Sequence, residues 1–234
     1  MCGATPQLRR PSSGAVMTWA PQLEAVGRIA SSEERIAQYT RLLEQALHDT
    51  PSASLPSLVR TYVDGAVLDP VNTTGAGLLV GRHMLAHLAT QLAAAHIPAN
   101  ILCTIVSDTL ATCEASSIMG DDELGPWRVL LAEQYASLSR WRDAAQALQS
   151  ITPHAARRIP QLSFAQLCVR VVELWLQDLP THVAEAEQAI KRANSAILDE
   201  RDNKALVHEL WSYHARVLAM QHRFMEAAAR YMDL

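Results

Sequence analysis

One phrase recurs along this chain at a near-constant interval, and the recurrence limits the fold to a stack of like units. "WRDAAQALQSI" at 141–151 is matched by "FMEAAARYMDL" at 224–234. With Trp141 set against Phe224, a separation of 224 − 141 = 83, Arg140 falls on Arg223, Asp143 on Glu226, Ala144 on Ala227 and Ala145 on Ala228. The preceding segments agree, since Ala132 meets Ala215 and Tyr135 meets Leu218. A third copy lies halfway: "VAEAEQAI" puts Val183 at the aromatic position and Ala186 at the alanine position, giving steps of 183 − 141 = 42 and 224 − 183 = 41.

Each unit reads as a helix, a tight turn and a second helix that opens on a bulky apolar residue with an alanine three positions later. Two helices of a hairpin approach closely only where small side chains meet, and Ala132 with Ala144, or Ala215 with Ala227, supply small residues twelve apart across the turn. Leu148, Ile190 and Tyr231 then fill the groove toward the next hairpin, so each unit buries its face only by stacking on its neighbours. The expected fold is all-α, a right-handed α-solenoid of tetratricopeptide-like antiparallel helix hairpins, with a period longer than the roughly 34 residues of that repeat. In these 234 residues no further copy follows Tyr231 and Leu234 to cover them, so an exposed apolar end is predicted there.

Upstream of the repeats the apolar spacing is also helical, and no run alternates with period two. The sequence divides into a disordered tail over 1–18, irregular helices over 19–120 and the clearer repeats over 127–234. The tail carries Arg9, Arg10 and a cluster of Pro, Ser and Gly that cannot bury enough apolar surface to order itself, and Met17 offers an alternative start. Ser31 with Glu34 predicts a capping box that opens the face of Ile36, Tyr39, Leu42, Leu43, Ala46 and Leu47, closed by Pro51 and Pro56. Leu78, Leu85, Leu88 and Leu92 form the next stripe, and Leu102, Ile105, Val106 and Cys113 another, with Pro98 as the break between them. "GDDELGPW", 120–127, gathers acids and turn residues and reads as a loop, with the next helix from about Trp127. Beyond it lie the faces of Leu131, Tyr135 and Leu138, of Leu162, Ala165, Val169, Val172 and Leu176, and of Leu206, Leu210, Tyr213, Val217 and Met220.

The net charge of −4 gives no nucleic-acid footprint, because phosphate contacts demand clustered Lys and Arg. Cys2, Cys103, Cys113 and Cys168 form no CxxC pair, which reads as reduced thiols in an intracellular compartment, cytoplasmic and nuclear. No apolar stretch reaches the length of a membrane span. The search for chemistry is sparse. His83 and His87 share a helix face, yet Met84 stands where a zinc protease needs its glutamate. In "HELWSYH", 208–214, the second histidine comes too late to share that face. "TTGAGLLVG", 73–81, lacks the Lys-Ser/Thr of a phosphate loop and reads as the entry to the helix of 78–92. Arg157 and Arg158 suggest a small basic loop between repeats, and the charged run 199–206 reads as a solvated helix start. The expectation is a protein that is not an enzyme, with no cofactor or metal, and with neither nucleic acid nor membrane as partner.

The ordered phrases "YTRLLEQAL", "LLAEQYASLSRWRDAAQALQSI", "ELWLQDLPTHVAEAEQAIKRA" and "HARVLAMQHRFMEAAARYMDL" resemble a known family. It is the N-terminal helical-repeat arm of the fourth subunit of the COP-nine signalosome, a scaffold subunit of the PCI group. The resemblance runs with gaps from Met17 to Leu234, is most specific from Leu130 onward and is loose over 48–126. It implies a non-catalytic, protein-binding subunit of the complex that removes Nedd8 from cullins, with the isopeptidase chemistry on a different subunit. The implied partners are the other signalosome subunits and the cullin-RING ubiquitin ligase. The family's arm is followed by a PCI domain with a winged helix, which is missing from these residues. The PCI subunit of the proteasome lid has a similar arm and is the alternative, together with a free-standing tetratricopeptide-like peptide-binding adaptor. The resemblance names no partner-binding residue.

Overall fold

The computed structural model describes residues 19–75, 77–159, 163–179, 181–198 and 204–232. The expectations for residues 1–18, Leu162, the charged run 199–203 and Leu234 lie outside these. Every regular element among the described residues is helical, so the fold class is all-α, as the 3.6-residue spacing of apolar side chains predicts. Two compact units divide the described residues, and the division between Met84 and Leu85 falls inside one helix.

The first unit holds α1 (Trp19–Gly27), α2 (Ser32–Asp49), a 3-10 turn over Ser52–Ser54, α3 (Leu55–Tyr62), a π turn over Val63–Val67, α4 (Pro70–Thr73) and the start of α5 (Gly77–Ala94). Ser31 caps α2 by accepting from the Glu34 N–H at 3.4 Å. Tyr39 and Tyr62 meet edge to face in the core, ring centres 6.4 Å apart. The buried Arg35 donates to Asn72 Oδ1 at 2.9 Å, and Asn72 donates in turn to the Ala66 carbonyl of the π turn at 2.9 Å. Two glycines of the 73–81 stretch serve backbone geometry. Gly75 has φ +54°, and a Cβ at Gly77 would collide with the Val71 carbonyl oxygen.

The second unit holds the rest of α5, then α6 (Ala99–Ser116), α7 (Asp121–Ser137), α8 (Trp141–Gln149), α9 (Pro153–Ala156), α10 (Phe164–Gln177), α11 (Val183–Leu198), α12 (Lys204–Met220) and α13 (Phe224–Met232). From α6 to α8 each helix packs on the next, α10 packs on α8, and from α10 to α13 each again packs on the next. The loop expected at 120–127 is instead the start of α7. The Glu123 carboxylate accepts from the Gly120 N–H at 3.0 Å, and Asp121, Asp122 and Glu123 sit where the helix dipole is positive. The acids are therefore helix-start chemistry, and Pro126 rides inside the helix.

The tight turns of two hairpins are copies of one another. At the end of α7 the Arg140 N–H reaches the Tyr135 carbonyl at 2.8 Å and the Ser139 N–H the Ala136 carbonyl at 3.0 Å. At the end of α12 the same two bonds run from Arg223 to Leu218 at 2.9 Å and from His222 to Ala219 at 3.0 Å. This is the Schellman arrangement, which requires a left-handed residue just past the helix. Ser139 (φ 58°) and His222 (φ 61°) take that conformation, 222 − 139 = 83 residues apart. Left-handed backbone costs an L-residue about 1–2 kcal/mol, so Ser139→Gly is expected to raise the unfolding free energy by about 1 kcal/mol. A higher urea midpoint at unchanged slope checks it.

Each second helix then opens on a polar pair three residues apart. Arg140 Nε donates to Asp143 at 2.7 Å, and Arg223 Nε to Glu226 at 2.8 Å. In the middle hairpin His182 takes the arginine's place, with Nδ1 3.4 Å from Glu185. The next residues, Trp141, Val183 and Phe224, begin α8, α11 and α13. Ala132, Ala144, Ala186, Ala215 and Ala227 are buried, as are Leu148, Ile190 and Leu218. Tyr135, Trp141 and Val183 are half-buried. Phe224 is 63% and Tyr231 50% exposed, and Met225 and Met232 beside them are more so. Leu138 and Met220, expected on packed faces, are exposed as well, because each lies at the very end of its helix.

Candidate functional site

The helix that leads each hairpin, α7, α10 and α12, contributes one wall of a groove of about 340 Å³. Val129, Ala132, Glu133 and Ala136 line it from α7 at positions i, i+3, i+4 and i+7, a single helix face. Leu167 and Leu174 of α10 and Leu206 of α12 are buried and make it apolar. Four charged side chains frame it: Glu133, Arg170, Glu173 and Glu209.

Three of those four charges are already engaged. Arg170 pairs with Glu173 one turn along α10. Glu209 accepts a 2.8 Å hydrogen bond from the Tyr213 hydroxyl, whose pKa rises above its ordinary value through burial and through that bond to a carboxylate. Glu133 has no hydrogen-bond or ion-pair partner among the described residues. Burial raises its pKa above the usual carboxylate range, and Arg170 draws it only partly back. The groove thus offers an apolar floor and a surplus of negative charge. Its lining includes carboxylates, a guanidinium and an amide, an inventory suited to holding a partner's side chains.

A second cavity, of about 470 Å³, lies between α11, α12 and α13. Its carboxylates are matched, Glu187 by Lys191 at 3.2 Å and Glu226 by Arg223.

Two buttresses hold the groove's walls, and neither is evident from apolar periodicity. The Arg192 guanidinium of α11 donates to the carbonyls of Gln149 at 2.7 Å and Ile151 at 2.8 Å, and lies over the Phe164 ring. Arg128 of α7 donates to the Ser150 carbonyl at 3.2 Å while pairing with Glu114 and Asp121. The C-terminal carbonyls of α8, the negative end of that helix, are therefore held by two cations. Arg192 lies 43 and 41 residues from its acceptors, about one repeat interval, which is the one sequence signal that could have indicated this contact.

The basic loop expected at Arg157 and Arg158 already has an acidic partner within the chain. Arg158 donates to Glu123 at 3.2 Å and lies 3.5 Å from Asp122, which His154 also meets at 2.7 Å. His83 is exposed on α5, while His87 is half-buried and 3.4 Å from Gln91. His208 meets Trp211 in a tilted ring contact, and the half-buried His214 has its pKa lowered by burial and by Arg230 and Arg223. Among the described residues no group of three or more His, Cys, Asp or Glu is placed to hold a metal, and no helix is long and apolar enough to cross a membrane.

No protein-family model matches the chain. Among the curated proteins similar to it are three that are each a COP9 signalosome complex subunit 4. The one from Caenorhabditis elegans is 29% identical over 216 residues, 88% of this chain and 51% of that protein. The one from Arabidopsis thaliana is 26% identical over 207 residues, covering 88% and 49% respectively. The one from Drosophila melanogaster is 25% identical over 208 residues, covering 86% and 47%. The chain spans about half the length of the curated relatives it matches.

Proposed function

We propose that this subunit-4-like chain is the helical-repeat arm of a COP9 signalosome subunit, a non-catalytic scaffold that binds proteins in the cytoplasm and nucleus. The observation that carries the reading is the likeness to three subunit-4 proteins over nearly nine-tenths of the chain. Stacked hairpins support it, because a row of like helices offers a long surface for partner proteins. In this role the arm joins the other signalosome subunits, engages the cullin-RING ubiquitin ligase and supports removal of Nedd8 from it. Affinity purification of the protein, tagged at its own locus, tests the reading. Signalosome subunits are expected in the eluate. Proteasome-lid subunits in their place would transfer the chain to the lid's PCI subunit. The groove on α7, α10 and α12 favours one second reading, a peptide-binding adaptor, which recovery of neither complex would support.

A further inference from the structure

We infer that the groove between α7, α10 and α12 seats a short segment of a partner protein, with a lysine or arginine side chain against Glu133 and an aliphatic side chain over Ala132 and Leu167. The inference deepens the protein-binding reading above and rests on it. Size sets the class of occupant. A cleft of about 340 Å³ is at the lower end of the roughly 300–1,000 Å³ typical of ligand sites, room for a few side chains of a peptide.

Charge sets its chemistry. Three carboxylates and one guanidinium frame the groove. Arg170 is taken by Glu173, and Glu209 holds the Tyr213 hydroxyl. Glu133 is left as an exposed acceptor at the edge of the apolar floor, near Arg170 but with no hydrogen-bond donor from the described residues. Glu133 is solvent-accessible at the groove's edge, open to an incoming cation, and arginine meets a carboxylate through two parallel N–H donors. The buried Leu167, Leu174 and Leu206 accept an aliphatic neighbour of that cation. The cavity at α11–α13 makes a useful contrast, since its carboxylates already hold cations and leave no such demand. The exposed apolar side chains of α13 carry no comparable inference, as nothing around them specifies what covers them.

The test is a display library of random dodecapeptides selected on the whole chain, followed by fluorescence anisotropy with the enriched peptides. The expected consensus places Lys or Arg within a turn of Leu, Ile or Val. Glu133→Gln should weaken such a peptide about tenfold, near 1.4 kcal/mol of binding free energy. Ala136→Trp, which fills the groove and leaves Glu133 in place, should remove binding, while Glu187→Gln in the other cavity should leave it unchanged. Raising salt from about 0.1 M to about 1 M, where the screening length falls from about 10 Å to about 3 Å, should weaken it further. Circular dichroism of each variant separates these effects from misfolding. No enrichment, an acidic or uncharged consensus, or a basic one indifferent to Ala136→Trp overturns the inference. A basic peptide lost on Ala136→Trp but untouched by Glu133→Gln overturns the assignment to Glu133. Peptide binding that fails while signalosome subunits still co-purify removes the groove inference alone. The reverse outcome removes the subunit reading alone.

Discussion

Trp175→Ala is expected to destabilise the second unit by about 3–5 kcal/mol, the usual cost of deleting a buried aromatic side chain. Trp175 is 2% exposed on α10, the helix that packs against α8, α11 and α12 together. Its ring also lies 5.2 Å from that of His182, at the turn where α11 begins. The void would sit at the junction of the stack, where relaxation of one helix disturbs three others. Since a domain's net stability is about 5–15 kcal/mol, the loss would lower the melting temperature by on the order of 10 °C. Trp175→Phe should recover most of it. The indole Nε1 is buried with no hydrogen-bond partner among the described residues, so its removal relieves a desolvated donor while phenyl keeps most of the volume. Thermal unfolding of the two variants checks the pair. An alanine variant within about 1 kcal/mol of wild type would mean that the stack closes over the gap.

Arg192→Ala is expected to cost about 3 kcal/mol, because it strips two backbone carbonyls of a charged donor at once. The guanidinium bridges α11 to the end of α8, bonding Gln149 and Ile151 from one fork. Arg192→Lys should recover less than half, since an ammonium is a point donor without the planar fork that reaches both carbonyls. Urea unfolding of the two variants measures it, and equal stability of the lysine variant and wild type would show that charge alone suffices. Because Arg192 lies over Phe164 at the start of α10 and bonds the end of α8, the alanine variant should also loosen α10 against α8.

Much of the fold is legible in the sequence because helix packing rests on spacing. Apolar positions at intervals of three and four give the all-α class, and Pro98 precedes Ala99, where α6 begins. The repeat phrases carry the resemblance read from the sequence, and the likeness to the three subunit-4 proteins extends over nearly nine-tenths of the chain. Composition misleads at 120–127, where acids and glycines look like a loop until the helix dipole is counted in their favour. It misleads again at Leu138 and Met220, whose apolar character predicts packing that a helix end does not provide. The groove is hidden for another reason. Glu133, Arg170 and Glu209 lie on three helices far apart in sequence, and nothing local in any of them tells a framing carboxylate from a solvated one.

The order in which the second unit's helices pack sets the manner of its folding. Each helix meets mainly those next to it along the chain, so contacts form by closing short loops rather than long ones. A hairpin such as α7–α8 can assemble before the residues of α12 and α13 have been synthesised, and later hairpins then add to an existing surface. The N-terminal units would fold while the chain is still emerging from the ribosome, and each would serve as the template for its successor.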